Sequence, residues 1–178
     1  MTDRRLKILM VATEAVPLAK EGGVADVIGS LPKELANLGH EVSIFLPRYG
    51  FIDPNGWGIR HTGVAQTVHI AGFGHPISIL QTTLPESPVT AYLLDNEGFF
   101  GRYQRIYLGL DQRDEQLRFL LFCRGLLETL PRLGFAPDII HLNDWQTAPC
   151  AAYLHTGYRY LLRRGTTRVV FTVHKLKH

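Results

Sequence analysis

Apolar and polar positions follow two rhythms along this chain, and their succession predicts an architecture. Residues 6–13 (LKILMVAT) form a near-continuous apolar run, the pattern of a parallel strand covered on both faces. After the loop AVPLAKEGG, Val24, Val27, Ile28, Leu31, Leu35 and Leu38 recur at three-and-four spacing, which places them on one helical face. Gly39 supplies the stop signal, and residues 41–46 (EVSIFL) read as a second strand. Pro32 interrupts the helical pattern; it lacks a backbone donor and predicts a kink or a restarted helix. A strand, a helix and a strand joined by short connections form the unit of a parallel α/β sheet.

Between residues 48 and 110, Gly, Pro and His separate three β-like runs: VAQTVHI from Val64, ISILQTTL from Ile77 and VTAYLLD from Val89. Their spacing predicts a hairpin followed by another central strand. The stretch from Asn96 to Asp111, rich in Gly and aromatic residues, reads as a surface loop. From Asp114 to Leu133, the positions Leu117, Leu120, Cys123, Leu127 and Leu130 predict a long helix facing the core. Asp138 to Leu142 predicts a short strand, Thr147 to Leu162 a helix, and Arg168 to Val173 a last strand. The expectation is one α/β domain with a Rossmann-like, mostly parallel sheet and helices on both faces.

Composition narrows the function. A chain of 178 residues suits a single buried core, and 46% apolar with 20% charged residues is ordinary for a globular protein. Lys and Arg total 19 against 16 Asp and Glu, and the basic residues are dispersed, which argues against a nucleic-acid surface. A pI near 9.0 permits an anionic small ligand without locating it. Cys123 and Cys150 have neither metal-site nor disulfide spacing, so no metal is expected and a reducing cytoplasm is the expected setting. The apolar run from Ile8 to Ala12 is too short to span a membrane, and no membrane partner is expected.

In an open parallel sheet, ligands bind beyond the carboxyl ends of the strands. Three segments fall there. The loop from Glu14 to Gly23 carries Lys20, then Gly22 and Gly23 opening a helix; this suits an anion, or equally a tight turn with a solvated lysine. It is not a dinucleotide fingerprint, for G-x-G-x-x-G is missing and Pro47 and Arg48 follow the second strand in place of an acidic ribose ligand. In HLNDWQTA (141–148), Asp144 is placed either as a helix N-cap or as a ligand-binding carboxylate. His141 and Trp145 beside it suit a sugar cleft, where flat rings cover apolar sugar faces. His174, after the last strand, is either a satisfied strand-end histidine or a functional one.

The stretch ATEAVPLAKEGGVADVIGSLPKELANLGHEVSIFLPRYG (12–50) resembles the opening of bacterial glycogen synthases and plant starch synthases, with the Lys-x-Gly-Gly loop of that family. YLLDN from Tyr92, DEQLRFLLFCRGLLE from Asp114, PDIIHLNDWQTA from Pro137 and FTVH from Phe171 follow in family order. The resemblance implies the first lobe of a two-lobe glycosyltransferase fold. It implies a retaining enzyme that moves glucose from ADP-glucose to the non-reducing end of an α-1,4-glucan such as glycogen, with no cofactor or metal. By position, Lys20 would bind the donor diphosphate, with Gly22 and Gly23 lending amides. Asp144 would hold sugar hydroxyls near the reacting carbon, His174 would steady the transition state beside it, and Glu14 would face the acceptor, with His141 and Trp145 in the sugar cleft.

Two departures accompany the resemblance. The sequence closes in HKLKH, with Lys175 where the family has Asn, and it holds no second, nucleotide-binding lobe. The expectation is a domain spanning 1–178 that is truncated, frameshifted or excised, with little or no synthase activity by itself. A complementing C-terminal lobe, or self-association through the exposed cleft face, would then complete it. The competing readings are another retaining nucleotide-sugar transferase of the same architecture and a non-catalytic glucan-binding remnant; the KEGG loop together with HLNDWQTA favours the glucan synthases.

Overall fold

A computed structural model describes residues 4–109, 112–162 and 167–175. In chain order these build β1 (Lys7–Val11), α1 (Val24–Asn37), β2 (Glu41–Pro47), β3 (Arg60–Ile70), β4 (Phe73–Thr83), β5 (Thr90–Asp95), α2 (Gln112–Thr129), β6 (Ile139–Asn143), α3 (Ala148–His155) and β7 (Arg168–Thr172). The strands form one sheet in the order β3-β4-β5-β2-β1-β6-β7. From β5 to β7 every pairing is parallel, and the β3–β4 hairpin adds two antiparallel strands at one edge. The predicted hairpin and the central strand after it are both present.

The continuous apolar runs are explained by double coverage. Leu9, Met10 and Val11 in β1 have no exposure, although successive residues point to opposite faces. Phe45 of β2 meets Phe122 of α2 with ring centroids 5.4 Å apart, which assigns its face to α2 and α3. The alternate residues Val42, Ile44 and Leu46 are equally buried on the face left to α1.

Helix α1 runs unbroken through Pro32 and does not restart there. Only the bond that residue 32 would donate to the carbonyl of residue 28 is lost. Val24, Ala25, Ile28, Gly29 and Pro32 are all buried, so one packed side holds both halves of the helix in place. Gly39 ends it as expected, at φ 92°, with its amide on the Ala36 carbonyl at 2.9 Å. The loop before the helix is strapped to it by the Val16 amide on the Ala25 carbonyl at 3.0 Å.

Two expectations are corrected. The segment from Asn96 is not a surface loop: residues 97–101 form a π-helical turn capped by the Asn96 side chain, and Phe100 and Ile106 are buried at 0% and 1% exposure. The cause is Arg118 of α2, whose buried guanidinium donates to the carbonyls of Phe99 (2.8 Å) and Ile106 (3.1 Å) and lies 5.2–5.5 Å from the rings of Phe100, Tyr103 and Phe119. Residues 110–111 of that expected loop lie outside the described residues.

The helix expected over 147–162 is the second correction, because α3 stops at His155. The amides of Thr156 and Tyr158 both bond the Tyr153 carbonyl, and the chain turns at Gly157 before a short 3-10 turn at Arg159–Leu161. Likewise α2 ends at Thr129, and Pro131 sits in the 3-10 turn that finishes the expected segment.

The sheet edges differ in character. β3 presents Arg60, His61, Thr67 and His69 to solvent and carries a register irregularity between His61 and Ala65. β7 exposes Val170 and Phe171 at 43% and 45%. Among the described residues no helix is long and apolar enough to cross a membrane.

A Cβ added at Gly29 would lie 2.1 Å from Val16 Cγ2 and 2.8 Å from the Val16 carbonyl oxygen. Gly29→Ala is therefore expected to destabilise the fold by about 1–3 kcal/mol through overpacking against the loop after β1, measured by urea unfolding.

Candidate functional site

β1 is the strand at which the chain changes direction: it continues to β2 on one side, and β6 is reached on the other. The loops leaving β1 and β6 therefore diverge and open a crevice beyond their carboxyl ends. A cavity of about 760 Å³ lies there, lined by Glu14, Glu21, Gly22, Gly23, Val24, Tyr107, Gly109, Glu115, Asp144, Trp145, Gln146, His174 and Lys175.

Carboxylates hold the walls by accepting backbone amides. Glu14, 1% exposed, takes the amides of Glu21 and Gly22 on Oε2 (2.6 and 2.5 Å) and the Tyr107 hydroxyl on Oε1 (2.7 Å). Glu21 in turn accepts the amides of Ile106 and Tyr107 at 3.2 and 3.4 Å. Glu115 accepts the Leu108 amide at 2.6 Å and pairs with Arg118 at 2.9 Å. Asp144 Oδ1 accepts the amides of His174 (2.6 Å) and Lys175 (3.2 Å).

Asp144 is thus not a helix cap. Its side chain makes no capping bond, and its backbone lies at φ 62°, ψ 173°, a region that glycine adopts readily and other residues only under strain. Asn143 fixes the neighbouring His174 ring. Its Nδ2 donates to the carbonyls of Val11 (3.2 Å) and His141 (3.1 Å), so its Oδ1 accepts from His174 Nε2 at 3.0 Å. In the neutral ring the proton therefore sits on Nε2, and Nδ1 is left as an acceptor.

Six expected residues surround this one cavity: Glu14, Gly22, Gly23, Asp144, Trp145 and His174. The space before Gly23 is open, since a Cβ there meets no atom of the described residues within 4 Å. The Gly22 amide is already taken by Glu14. Trp145 packs edge-on against Phe119, with centroids 5.5 Å apart. Two others stand elsewhere. The Lys20 ammonium binds both oxygens of Asp26 (2.6 and 2.8 Å) on the surface, and His141 bonds Thr172 Oγ1 at 2.8 Å inside the sheet.

Sequence alone does not single out the other residues of the site. Asn143 and Gln146 lie inside HLNDWQTA, beside residues that it does mark. Tyr107 arrives on the segment that reads as a surface loop, and burial pushes its hydroxyl pKa well up, so it remains a donor. Around the cavity Glu14, Glu21, Glu115 and Asp144 face a single lysine among the described residues, Lys175. Such walls suit a neutral ligand rich in hydroxyls, laid against Trp145, better than they suit an anion. Among the described residues, no group of three or more His, Cys, Asp or Glu side chains is arranged to hold a metal ion.

Asp144→Ala strands two amides and keeps a side chain at positive φ, whereas Asp144→Gly strands the same amides but relieves the backbone. The alanine variant is expected to be less stable than the glycine variant by about 1–3 kcal/mol, measured by chemical denaturation. Burial, and secondarily the charge of His174, lower the His141 pKa from its ordinary 6.5. Below that ordinary value the unfolded chain takes up a proton first. The contribution of neutral His141 is complete above about pH 6.5 and is lost as pH falls through the lowered folded value. His141→Asn is expected to flatten the stability profile between about pH 7 and pH 5.

The sequence model of the starch synthase catalytic domain matches residues 7–178. Glycogen synthase 1 of Geobacter sulfurreducens is 40% identical over 178 residues, covering 98% of this chain and 35% of that protein. Glycogen synthase of Geotalea daltonii is 41% identical over 175 residues, covering 97% of this chain and 36% of its own length. The structure of the catalytic domain of starch synthase IV from Arabidopsis thaliana, bound to ADP and acarbose, aligns with a TM-score of 0.82 at 30% identity, over 97% of this chain and 34% of that one. The chain thus spans about a third of the length of these relatives. With a match running through both loops that frame the crevice, the chain belongs to the starch synthase catalytic domain family.

Proposed function

We propose that this chain supplies one lobe of a retaining glucosyltransferase that transfers glucose from ADP-glucose to the non-reducing end of an α-1,4-glucan. The observation that carries this reading is the convergence of Glu14, Gly22, Gly23, Asp144, Trp145 and His174 on one cavity at the carboxyl ends of β1, β6 and β7, in a chain of this family. The ADP and acarbose bound to Arabidopsis starch synthase IV support a nucleotide and an oligosaccharide as the two ligand classes.

In this reading the sugar lies against Trp145, and the free oxygen of Asp144 accepts a sugar hydroxyl while Oδ1 holds the chain after β7. His174, fixed by Asn143, stands beside the reacting carbon and steadies its developing positive charge. Glu14 shapes the acceptor side and keeps the turn at Gly22 closed. The open Gly23 end of α1 faces the donor phosphates. Lys20 reaches them by exchanging Asp26 for phosphate, an exchange that costs little, because an exposed ion pair contributes at most about 1 kcal/mol. The countercharge that Lys175 alone does not supply comes from a nucleotide-binding lobe outside these residues, in the same polypeptide or in a partner.

The test is incorporation of labelled glucose from ADP-glucose into glycogen, with UDP-glucose as competitor, in a protein carrying both lobes. Lys20→Ala is expected to lower kcat/KM by about ten- to a hundred-fold, the worth of one charge-assisted contact. The 178-residue polypeptide alone is expected to bind maltohexaose, seen as a change in tryptophan fluorescence that is lost in Trp145→Phe, and to show little incorporation. Absence of both maltohexaose binding and two-lobe turnover defeats the reading; binding without two-lobe turnover favours a glucan-binding remnant.

A further inference from the structure

Among the described residues one buried acceptor at the cavity has no partner, and the hydrogen-bond chain beside it explains why. Gln146 lines the cavity and is 4% exposed; its Oε1 is sealed from solvent and unbonded, while its Nε2 donates to the Tyr107 hydroxyl oxygen at 3.0 Å. The opposite amide orientation is disfavoured. Tyr107 has a single hydroxyl proton, and it goes to Glu14 Oε1 at 2.7 Å. Toward Gln146 the phenol can only accept, so Gln146 must present its NH₂ group. The second oxygen of Glu14 receives the amides of Glu21 and Gly22. The chain of bonds is therefore polarised in one direction, from Gln146 to Tyr107 to Glu14, and it joins the segment after β6 to the turn before α1 along the cavity wall.

We propose that Gln146 is a positioning residue. Through Tyr107 it orients the Glu14 carboxylate on the turn at 21–22 and so presets the cavity wall from which α1 begins. The unpaired Oε1 is a consequence of this role, since the amide is held in the orientation that serves Tyr107 and not in the one that would satisfy itself. The geometry of this relay is independent of the proposed glucosyl transfer, whereas its consequence for ligand binding rests on that reading.

A merely structural glutamine and a positioning one separate experimentally, because the unpaired acceptor makes stability and function move in opposite directions. Gln146→Leu removes both the donor and the orphaned oxygen at similar volume. Its thermal midpoint is expected to stay level or rise. The amides of Glu21 and Gly22, which Gln146 does not touch, are expected to exchange with solvent about two- to tenfold faster, and maltohexaose affinity is expected to fall by a similar factor. Tyr107→Phe is expected to loosen the same amides, and the double variant to add nothing further. Gln146→Glu, which turns the donor into an acceptor competing for the Tyr107 proton, provides a second variant with the same expected loosening. Unchanged exchange at Glu21 and Gly22 in both Gln146 variants, or additive effects in the double variant, overturns the proposal. Faster exchange in a protein that binds no maltohexaose, and that shows no incorporation when it carries both lobes, upholds the relay and removes the glucosyl-transfer reading instead.

Discussion

Strand ends in an open sheet leave backbone amides at the rim, and a rim that must also form a cavity cannot bury those amides against one another. Here carboxylates take them, from the buried Glu14 and Asp144 to the exposed Glu21. Glu14 holds the turn at 21–22, Glu21 holds residues 106–107, Glu115 holds residue 108, and Asp144 holds residues 174–175. Each clamp reaches between segments remote in sequence or closes a turn that no secondary structure would close. A backbone donor left unpaired in such a place is costly, and bonds to charged acceptors are stronger than neutral ones. The shape of the cavity is thus a product of these clamps, and the sheet supplies only their starting points.

The same arrangement constrains chemistry. Acidic groups that already hold amides still give the cavity a negative wall, with Lys175 as its one lysine among the described residues. A neutral sugar meets such a wall through its hydroxyls, whereas a diphosphate must find its countercharge elsewhere. Under the proposed glucosyl transfer, this favours a division in which these residues shape the sugar and glucan side and the cationic work falls largely on residues outside them, with Lys20 held in reserve on Asp26.

Much of the architecture is legible in the sequence because burial on both faces writes itself into composition: the strands around Leu9, Ile44 and Ile140 are apolar at successive positions. The site is legible in part, because Gly22, Gly23, Asp144, Trp145 and His174 lie directly after strands or at a helix start, where topology concentrates ligands. What escapes has physical reasons. Arg118 lies off the apolar positions that mark its helix, yet its guanidinium sits at 1% exposure among aromatic rings and folds residues 97–107 inward, bringing Tyr107 to the cavity. No periodicity announces a buried arginine. Proximity to Asp144 draws His141 toward the cleft, but it lies three residues earlier, inside β6, where its ring is engaged by Thr172. Resemblance gives Lys20 to phosphate, and local sequence does not reveal that Asp26, at the start of the helix that follows, faces it.

The unequal edges of the sheet carry a consequence for assembly. Charged and imidazole side chains and an irregular ladder make the β3 border a poor template for another strand, while β7, the outer strand on the other side among the described residues, carries the exposed apolar side chains of Val170 and Phe171. That side is the one whose last described residues, His174 and Lys175, are tied to Asp144, so any strand that zips onto β7 also abuts the wall of the cavity. The outer strand of this sheet and the ligand chamber thus share one anchor, the Asp144 carboxylate.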